Sequence, residues 1–260
     1  MSSHASIIQV ASPVIPSRES VGVDESCVVV TDYEQLTVII PTLNEEGNIG
    51  ELLDYLLYHY PGLHVIVADD DSTDRTREEV MARARFNPRV QLLWRRECVR
   101  GLTASVLDAL KQVTTEYFAV MDGDLQHPPE AVRRLMAALQ EGASLVVATR
   151  RRFKVAPHRW LISKVATVSG RLRLRLSGAA RCTDCMSGFF AGQVALVQQI
   201  IQTNRQSFEL GGYKVLFDLL KQLPRSTDVR EIGYEFDPRH RGQSKISSRI
   251  IWLYLCSLFH

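Results

Sequence analysis

The sequence predicts an α/β protein with a mostly parallel central sheet and helices on both faces. Short runs rich in β-branched residues alternate with segments whose apolar residues recur at helical spacing, and this alternation repeats four times before Arg150. Near-continuous apolar runs are typical of strands that are buried on both faces. Clusters of polar residues follow several of the runs, and open α/β sheets bind their ligands at that end of the strands.

The predicted strands share short length, apolar character and a polar end. They are Leu36–Ile40, His64–Ala68, Val90–Trp94, Tyr117–Met121, Ser144–Ala148 and Val229–Phe236. The segment Gly211–Leu220 is predicted to form an amphipathic helix that belongs to the core rather than to a site. No predicted strand is followed by Gly-x-Gly-x-x-Gly, which argues against a dinucleotide-dependent dehydrogenase.

Composition fits a globular protein and limits its partners. Hydrophobic residues make up 45% of the 260 residues, charged residues 23%, and the formal net charge is +2, so the whole chain is no polyanion binder. The charge is uneven, because basic residues crowd between Arg150 and Arg181 while acidic residues dominate Asp69–Asp74. This separation favours a site with distinct metal and phosphate regions over a nucleic-acid surface.

The ends of the chain and its cysteines suggest where the protein works. Five cysteines, an odd number, and no signal-peptide pattern predict a reducing compartment. The pair Cys182 and Cys185 has no second pair and no histidine at zinc-finger spacing, so we interpret it as incidental. Residues 1–35 are predicted to be a flexible tail. No apolar run reaches the roughly 20 residues of a spanning helix, and the amphipathic segment 246–260 could be packed, interfacial or the start of a longer membrane region.

The strongest indication of a functional site lies between the predicted fourth strand and the helix that begins after two prolines. Asp122 and Asp124 come directly after the apolar run Tyr117–Met121. If strand geometry continues to the end, its period of two directs both carboxylates to one side. These carboxylates and the Gln126 carbonyl are hard oxygen ligands that suit Mg²⁺ or Mn²⁺. A bare Asp-x-Asp is a common polar turn, and it is the longer string that favours a metal site.

Polar clusters also end the first two strands and precede a later helix. The three carboxylates of Asp69–Asp71 repel one another, so a purely structural role explains them poorly, although capping by Asp71 or Ser72 would account for one. The loop Pro41–Glu46 closes the first strand and precedes a helix. Gly101 opens another helix, which suggests a phosphate-binding loop.

Several of these motifs together resemble the polyprenol-phosphate (dolichol-phosphate) mannose synthases, which are family 2 glycosyltransferases with the GT-A fold. The similarity runs from about Leu36 to Lys245. Its motifs are Pro-Thr-Leu-Asn-Glu, Asp-Asp-x-Ser-x-Asp, Arg-Gly-Leu, Met-Asp-Gly-Asp-Leu-Gln-His-Pro-Pro-Glu and Asp-Cys-Met-Ser-Gly-Phe-Phe. Cys185 stands where the family usually has proline. The resemblance implies a GT-A catalytic domain over residues 36–245.

The resemblance also implies roles for individual residues. Asp122, Asp124 and Gln126 would hold the metal, and Asp124 would be catalytic. Glu45 would face the ribose of the donor and Asp70 would read the edge of its base. The implied substrate-binding residues are Pro41, Asn44, Glu45, Asp70, Arg100, Asp122, Asp184 and Lys245.

On the acceptor side, the resemblance implies a set of arginines. Arg150 matches an arginine that follows the fifth strand in the family. Arg159 and Ser163 match a family pair, and their spacing of four places them on one helical face. An arginine fork with a hydroxyl suits a phosphate monoester. Arg239 lies in a glycine-containing loop, 236–245, which resembles the family's lid over the pyrophosphate and acceptor.

The predicted reaction is the metal-dependent transfer of mannose from GDP-mannose to a polyprenyl or dolichyl monophosphate, with inversion. The acceptor phosphate is already anionic at pH 7, so it needs positioning rather than a strong general base. Two alternatives stay open: a UDP-glucose-dependent polyprenyl phosphate glucosyltransferase, and a catalytically silent GT-A binding subunit. Because the acceptor is a lipid, the protein is expected to be cytoplasmic and peripheral on the cytoplasmic face of a membrane. A membrane-anchoring partner would fit this reading, and no nucleic-acid partner is expected.

Overall fold

The computed structural model describes residues 33–96, 99–152 and 157–235, with side chains described except at 151–152 and 157–166. Expectations for residues 1–32 and 236–260 therefore lie outside the described residues. These include the roles of Arg239 and Lys245 and the nature of the C-terminal segment. At the start of the described chain, Tyr33 is buried and its ring packs edge-on against Tyr60, with 4.9 Å between centroids.

Strands and helices alternate through the described part of the chain. The strands are β1 Leu36–Thr42, β2 His64–Asp69, β3 Val90–Trp94, β4 Tyr117–Val120, β5 Leu145–Arg152, β6 Phe190–Gln193 and β7 Val229–Glu235. The helices are α1 Ile49–His59, α2 Thr76–Ala84, α3 Leu102–Leu110, α4 Ala131–Gln140, α5 Pro157–Leu176, α6 Val194–Asn204 and α7 Val215–Gln222. A short 3₁₀ turn, Arg205–Ser207, follows α6. No helix among the described residues is long and apolar enough to cross a membrane.

The seven strands form one mostly parallel sheet in the order β3-β2-β1-β4-β6-β5-β7. Strand β6 alone runs antiparallel to its neighbours β4 and β5, and the other paired strands are parallel. The predicted mostly parallel α/β sheet is confirmed. Strand β6 was not predicted, because its four residues, Phe-Ala-Gly-Gln, include no β-branched residue and are too few to show a period.

Helices cover both faces of the sheet, as predicted, and each face has its own apolar core. In β1, Ile39 belongs to the core under α3, α6 and α7, whereas Val38 and Ile40 belong to the core under α1, α2 and α4. This alternation follows from the opposite directions of successive side chains in a strand. The buried residues of both cores hold the strand ends, and hence the loops that follow them, in fixed positions.

The order of the strands brings three loops together at the carboxyl ends of β1, β2 and β4, and we call the surface between these loops the crevice. From β1 the chain proceeds outwards to β2 and β3 on one side, and then crosses to β4 on the other side of β1. The strand order reverses between β1 and β4, and a ligand site in an open α/β sheet is expected at the carboxyl ends of the strands near such a reversal. The loop 43–48 after β1, the loop 70–75 after β2 and the turn 121–127 after β4 all meet at this end of the strands.

Candidate active site

The two carboxylates after β4 are positioned by a tight turn. The strand ends at Val120 and Leu125 adopts a φ of 60°, so the condition under which strand alternation would place Asp122 and Asp124 on one side is not met. Asp124 is only 2% exposed, and its Oδ1 accepts a hydrogen bond of 3.1 Å from the Gln126 amide. The Asp122 side chain is 37% exposed. One carboxylate is thus embedded in the turn while the other opens to the crevice.

A buried histidine supports the exposed carboxylate. The amide of Asp122 donates to Nδ1 of His127 at 3.1 Å, and the other ring nitrogen lies 3.7 Å from Oδ2 of Asp122. The ring stacks on Phe189, with 5.1 Å between centroids. Burial lowers the pKa of His127, and because Nδ1 accepts, this contact assigns the ring proton to Nε2. His127 lies in the string Met-Asp-Gly-Asp-Leu-Gln-His-Pro-Pro-Glu, but the sequence suggested no role for it.

Asp69, the first of the three successive carboxylates, has a structural role. It is fully buried, and its Oδ1 accepts from the Ser72 amide at 2.9 Å. Its Oδ2 accepts from the Thr42 hydroxyl at 3.1 Å. Asp69 therefore ties the loop after β2 to the end of β1, and its charge is satisfied by neutral donors.

Helix α2 is capped differently from the prediction. Oδ1 of Asp74 accepts from the Thr76 amide at 3.0 Å, at the first residue of the helix. Ser72 instead accepts from the Asn44 amide at 2.8 Å, and Asp71 adopts a φ of 65°. Capping by Asp71 or Ser72 was wrong because Asp71 pairs with side chains and Ser72 binds the loop after β1, so that Asp74 accepts from the first amide of α2.

Asp70 is held by a buried arginine that the sequence analysis did not single out. The Arg95 side chain is 2% exposed, pairs with Asp70 and Asp108, and donates to the Ser105 hydroxyl at 2.9 Å. The Gly101 amide donates to the other Asp70 oxygen at 2.9 Å. Burial raises the pKa of Asp70, and this outweighs the lowering by the amide and by Arg95. The sequence feature that could have predicted this pair is an arginine directly after β3, next to the acidic residues that end β2.

The N-terminus of α3 does not serve as a phosphate-binding loop. The Gly101 amide donates to Asp70, and the amides of Thr103 and Ala104 donate to carbonyls of the loop 209–212. Gly101 has a φ of 146°, and an added Cβ would lie 2.4 Å from a carbonyl oxygen of that loop. The glycine is thus required by close packing and an unusual backbone conformation. The phosphate-loop prediction fails because these amides already have protein acceptors.

The predicted residues of the first loop lie along the crevice. Pro41 is in β1, opposite Ala68, and Asn44 has a φ of 54° and accepts from the Thr73 amide at 2.8 Å. Glu45 is nearly buried, and its Cγ would lie 3.7 Å from a Cβ built on Gly123. The structure therefore brings the first loop against both the β2 loop and the metal-candidate turn.

Arg100 lies on the rim of the same crevice. Its guanidinium pairs with Asp71 at 2.6 Å, although the side chain is 63% exposed. Asp71 also accepts from the indole N–H of Trp94 at 3.1 Å and pairs with Arg77 at 3.4 Å. The indole hydrogen bond contributes most to a lowered pKa of Asp71, and burial opposes it. Arg100 is thus held by Asp71 at the part of the crevice where the resemblance places the base of the donor nucleotide.

Arg150 and Asp184, predicted separately, form one bidentate pair. Nε and Nη2 of Arg150 each donate at 2.8 Å to an oxygen of Asp184. The side chains are 16% and 14% exposed. Burial raises the pKa of Asp184, but the hydrogen bonds and charge of Arg150 lower it more. Arg150 was expected just after the fifth strand. It lies within β5, opposite Tyr234, because β5 continues along β7.

Lys214 adds a second cation beside this pair. The prediction of a core helix holds for α7 from Val215 onwards, but Lys214 immediately before it reaches Met186 and donates to its carbonyl at 2.8 Å. Burial lowers the pKa of Lys214 to about 8, with the charge of Arg150 adding to the effect and Asp184 opposing it. The lysine thus links α7 to the loop that follows Asp184.

The other predicted acceptor residues are only partly described. Arg159 and Ser163 both lie in α5, one turn apart as expected, but their side chains are outside the described part of the structure. Arg239 and Lys245 are outside the described residues altogether. Their contribution to the site stays a prediction from the sequence.

The cysteine pair agrees with its interpretation as incidental. Both thiols are free and buried; Cys182 contacts Glu231 at 3.2 Å and Cys185 contacts the Thr167 carbonyl at 3.8 Å. Burial raises the pKa of both thiols, that of Cys185 to about 12, so the reactive thiolate is disfavoured. In the described parts of the chain, no three His, Cys, Asp or Glu side chains converge as a metal site.

The sheet, its crevice and the carboxylate turn after β4 are those of a GT-A glycosyltransferase. The family model described as "Glycosyl transferase family 2" matches residues 37–201, and the chain belongs to this family. Glucosyl-3-phosphoglycerate synthase from Mycobacterium tuberculosis, solved with Mn²⁺, UDP and phosphoglyceric acid, has the same fold. The TM-score is 0.62 with 22% identity, over 86% of this chain and 78% of the other.

The relatives within this family carry mannosyltransferase names, as the resemblance implied. "Dolichol-phosphate mannosyltransferase" from Pyrococcus furiosus is 34% identical, and the match covers 86% of this chain but 63% of the archaeal protein. The protein of the same name from Saccharomyces cerevisiae is 31% identical over 86% of this chain and 85% of its own length. The identification as a family 2 glycosyltransferase related to dolichol-phosphate mannose synthases is confirmed.

The buried Arg95 generates a prediction about stability. Replacing Arg95 by methionine leaves the Asp70 carboxylate buried without its cation, and we expect the free energy of unfolding to fall by roughly 3–5 kcal/mol. The matched control is Arg230→Met, which breaks the exposed pair of Arg230 with Glu141 and is expected to cost about 0–1 kcal/mol. Urea denaturation measures both changes. Equal costs for the two variants would contradict the role assigned to Arg95.

The pair of Arg150 and Asp184 predicts a dependence of stability on pH. Arg150 holds the folded-state pKa of Asp184 below its unfolded value, which is about 3.9. The stabilisation is therefore present above that value and is lost as the pH falls through the lower, folded-state pKa. We expect the difference in unfolding free energy between wild type and Asp184→Asn to be constant between about pH 5 and pH 7, below the range in which Lys214 titrates, and to shrink below about pH 4.

The control for this measurement is the exposed carboxylate of Asp54, whose side chain is 61% exposed in its pair with Arg83. Asp54→Asn should give a much smaller difference from wild type throughout the same series, because exposed pairs contribute little. Denaturation at fixed ionic strength and a series of pH values measures all three proteins. A difference for Asp184→Asn that is unchanged at pH 3 would show that Arg150 does not hold its carboxylate ionised.

Proposed function

We propose that this protein transfers one mannosyl residue from GDP-mannose to the phosphate of a polyprenyl or dolichyl monophosphate, with inversion at the anomeric carbon. The observation that supports this most is the position of Asp122 and Asp124 at the crevice, directly after β4. Arg150 lies within β5, which is two strands from β4 in the sheet. Carboxylates on one side and cations on the other suit a donor that leaves with a diphosphate and an acceptor that arrives as a phosphate. The names of the curated relatives support mannose as the sugar.

The residues after β4 fit a divalent cation of the magnesium type. Asp124 is buried in the turn, Asp122 opens to the crevice, and the Gln126 amide donates to Asp124. Because the described residues offer no third converging carboxylate, histidine or thiolate, the ion would complete its shell with ligand phosphates and water, as Mg²⁺ commonly does. When bound, Mg²⁺ or Mn²⁺ would neutralise the negative charge of the leaving diphosphate.

The donor would lie across the first two loops. In this proposal the carboxylate of Asp70, fixed in place by Arg95, accepts from the base edge, and Glu45 accepts from the ribose. Pro41, Asn44 and Arg100 would line this part of the crevice. Because buried contacts already hold the Asp70 carboxylate in place, it loses little conformational freedom when the base binds, which is the advantage of preorganisation.

The acceptor phosphate would be held by cations on the far side of the metal turn. Arg150 and Lys214 supply positive charge next to Asp184, which orients the Arg150 fork. Arg159, Ser163, Arg239 and Lys245 would complete this region, as the resemblance implies. The phosphate oxygen is already anionic at pH 7, so these groups orient and desolvate the nucleophile rather than deprotonate it. In the same proposal the enzyme acts peripherally on the cytoplasmic face of a membrane, with or without an anchoring partner.

The test is a donor screen with a short polyprenyl phosphate in detergent and Mg²⁺. We expect GDP-mannose to give the polyprenyl phosphomannose and UDP-glucose to give little product. Asp124→Asn should lower transfer by at least about 100-fold, because charge neutralisation of this kind is worth several kcal/mol. Calorimetry should show that the same variant binds GDP with weaker dependence on Mg²⁺.

The control for Asp124→Asn is Asp54→Asn, which alters an exposed carboxylate of α1 and should leave transfer unchanged. Product formed from UDP-glucose in place of GDP-mannose would favour the glucosyltransferase alternative. Nucleotide binding without transfer from any donor would favour a silent binding subunit. Full activity of Asp124→Asn in the presence of a chelator would overturn the role of the turn.

A further inference from the structure

One carboxylate on β7 accepts hydrogen bonds from several donors of a single loop. The Oε1 atom of Glu231 accepts from the Thr183 amide at 2.6 Å and from the Thr183 hydroxyl at 2.7 Å. The Cys182 thiol donates to the same oxygen at 3.2 Å and the Asp184 amide at 3.4 Å. Hydrogen bonds to a carboxylate are stronger than those between neutral groups. Glu231 therefore holds the segment 182–184 more firmly than a solvated surface glutamate would.

The paired strands β5 and β7 hold Asp184 at two points. Val147 of β5 lies opposite Glu231 of β7, and further along the same pair Arg150 lies opposite Tyr234. Arg150 binds the carboxylate of Asp184, and Glu231 accepts from its amide and from the residue before it. The orientation of Asp184 towards Arg150 therefore depends on a side chain of the neighbouring strand.

Other groups hold the two ends of this loop. The Ala180 amide donates to the Leu223 carbonyl at 2.9 Å, and the Met186 carbonyl accepts from the Lys214 ammonium at 2.8 Å. The segment 182–184 lies between these two contacts. Removal of the β7 carboxylate would therefore release the middle of the loop while both ends stay fixed.

The exposure of this contact separates positioning from folding. Glu231 and Thr183 are both exposed, so water can satisfy the donors when the carboxylate is removed, and the effect on unfolding is expected to be small. Asp184 and Arg150 are only 14% and 16% exposed, and their bidentate pair needs correct geometry. A displacement of about 1 Å in a site can lower a rate about 100-fold. Loss of Glu231 should thus affect the position of Arg150 more than the fold.

We propose that Glu231 is a positioning residue, which fixes the segment 182–184 so that Asp184 holds the Arg150 fork ready for the acceptor phosphate. Glu231 itself touches no substrate in this account and acts only through Asp184. The inference rests on the proposed function, because that proposal makes Arg150 a cation of the acceptor site. The coupling of Glu231 to Asp184 can nevertheless be measured without any transfer reaction.

The alternative role for this carboxylate is to balance positive charge. Arg171, Arg175 and Arg181 line a cavity together with Glu231. Charge balance needs the negative charge, whereas positioning needs an acceptor oxygen in the right place. Glu231→Gln separates the two, because glutamine keeps a carbonyl acceptor and lacks the charge. The convergence of four donors from one loop on one oxygen favours positioning.

The first experiment is a double-mutant cycle in urea, at a pH where Asp184 is ionised. We expect Asp184→Asn to change the unfolding equilibrium constant by a factor that is at least about threefold smaller in the Glu231→Ala background than in wild type. Repulsion between the two carboxylates would give the opposite sign, because Asp184 would then stabilise more once Glu231 is removed. In the Glu231→Gln background the factor should be closer to that of wild type.

The second experiment measures transfer from GDP-mannose to a short polyprenyl phosphate in detergent. Glu231→Ala should lower kcat/KM for the acceptor at least about tenfold, while calorimetry with GDP and Mg²⁺ gives the wild-type Kd. Glu231→Gln should stay within about threefold of wild type. Adding Glu231→Ala to Asp184→Asn should have little further effect, because both changes act on the same arginine fork.

The matched control is Glu141→Ala, which removes an exposed carboxylate that accepts from Arg230 of β7 at 2.8 Å. It should behave like wild type in both experiments. Additive stability effects, or coupling of the opposite sign, would overturn the inference whether or not sugar is transferred. Equal losses of transfer in Glu231→Gln and Glu231→Ala would assign the effect to charge and would also overturn it.

The two experiments also separate this inference from the proposed reaction. If wild type transfers no sugar from any donor while the predicted coupling is found, the proposed reaction fails and the positioning of Asp184 by Glu231 is supported. If wild type transfers mannose and Glu231→Ala matches it in kcat/KM for the acceptor, the reaction stands and the positioning role is overturned.

Discussion

The structure depends on holding several carboxylates close together at one edge of the sheet. Like charges at this distance repel, and burial adds a cost for each ionised group. Three sets of contacts offset this cost. Neutral groups donate hydrogen bonds to Asp69, Arg95 pairs with Asp70, and Arg150 pairs with Asp184. These contacts tie the ends of β1, β2 and β3 to one another, and they tie β5 to the loop that precedes β6.

This arrangement divides the acidic residues into those that hold the fold and those that remain available for a ligand. Asp69 and Asp74 bind donors of their own and neighbouring loops, which fixes the backbone around them. Asp122 opens to the crevice while its amide is anchored on His127. A rigid support for a few open groups is the form that catalytic preorganisation requires.

The sequence predicted the strands that carry the site because each is a compact apolar run with a polar end. It could not predict the partners of the charged residues: Arg150 meets Asp184 and Arg95 meets Asp70 across separate loops. Such contacts depend on the strand order, and the short strand β6 that sets part of this order leaves no periodic signal. The left-handed turn at Leu125 was likewise invisible, because nothing in leucine indicates a positive φ.

The central claim is that the turn after β4 is the place where a divalent cation and the donor diphosphate meet. The most direct measurement is anomalous diffraction from crystals of the protein grown with GDP and Mn²⁺. The account predicts one manganese peak within about 2.5 Å of carboxylate oxygens of both Asp122 and Asp124, with the diphosphate bound to the same ion. A nucleotide in the crevice with no manganese at these two carboxylates, or manganese bound at another set of residues, would contradict it.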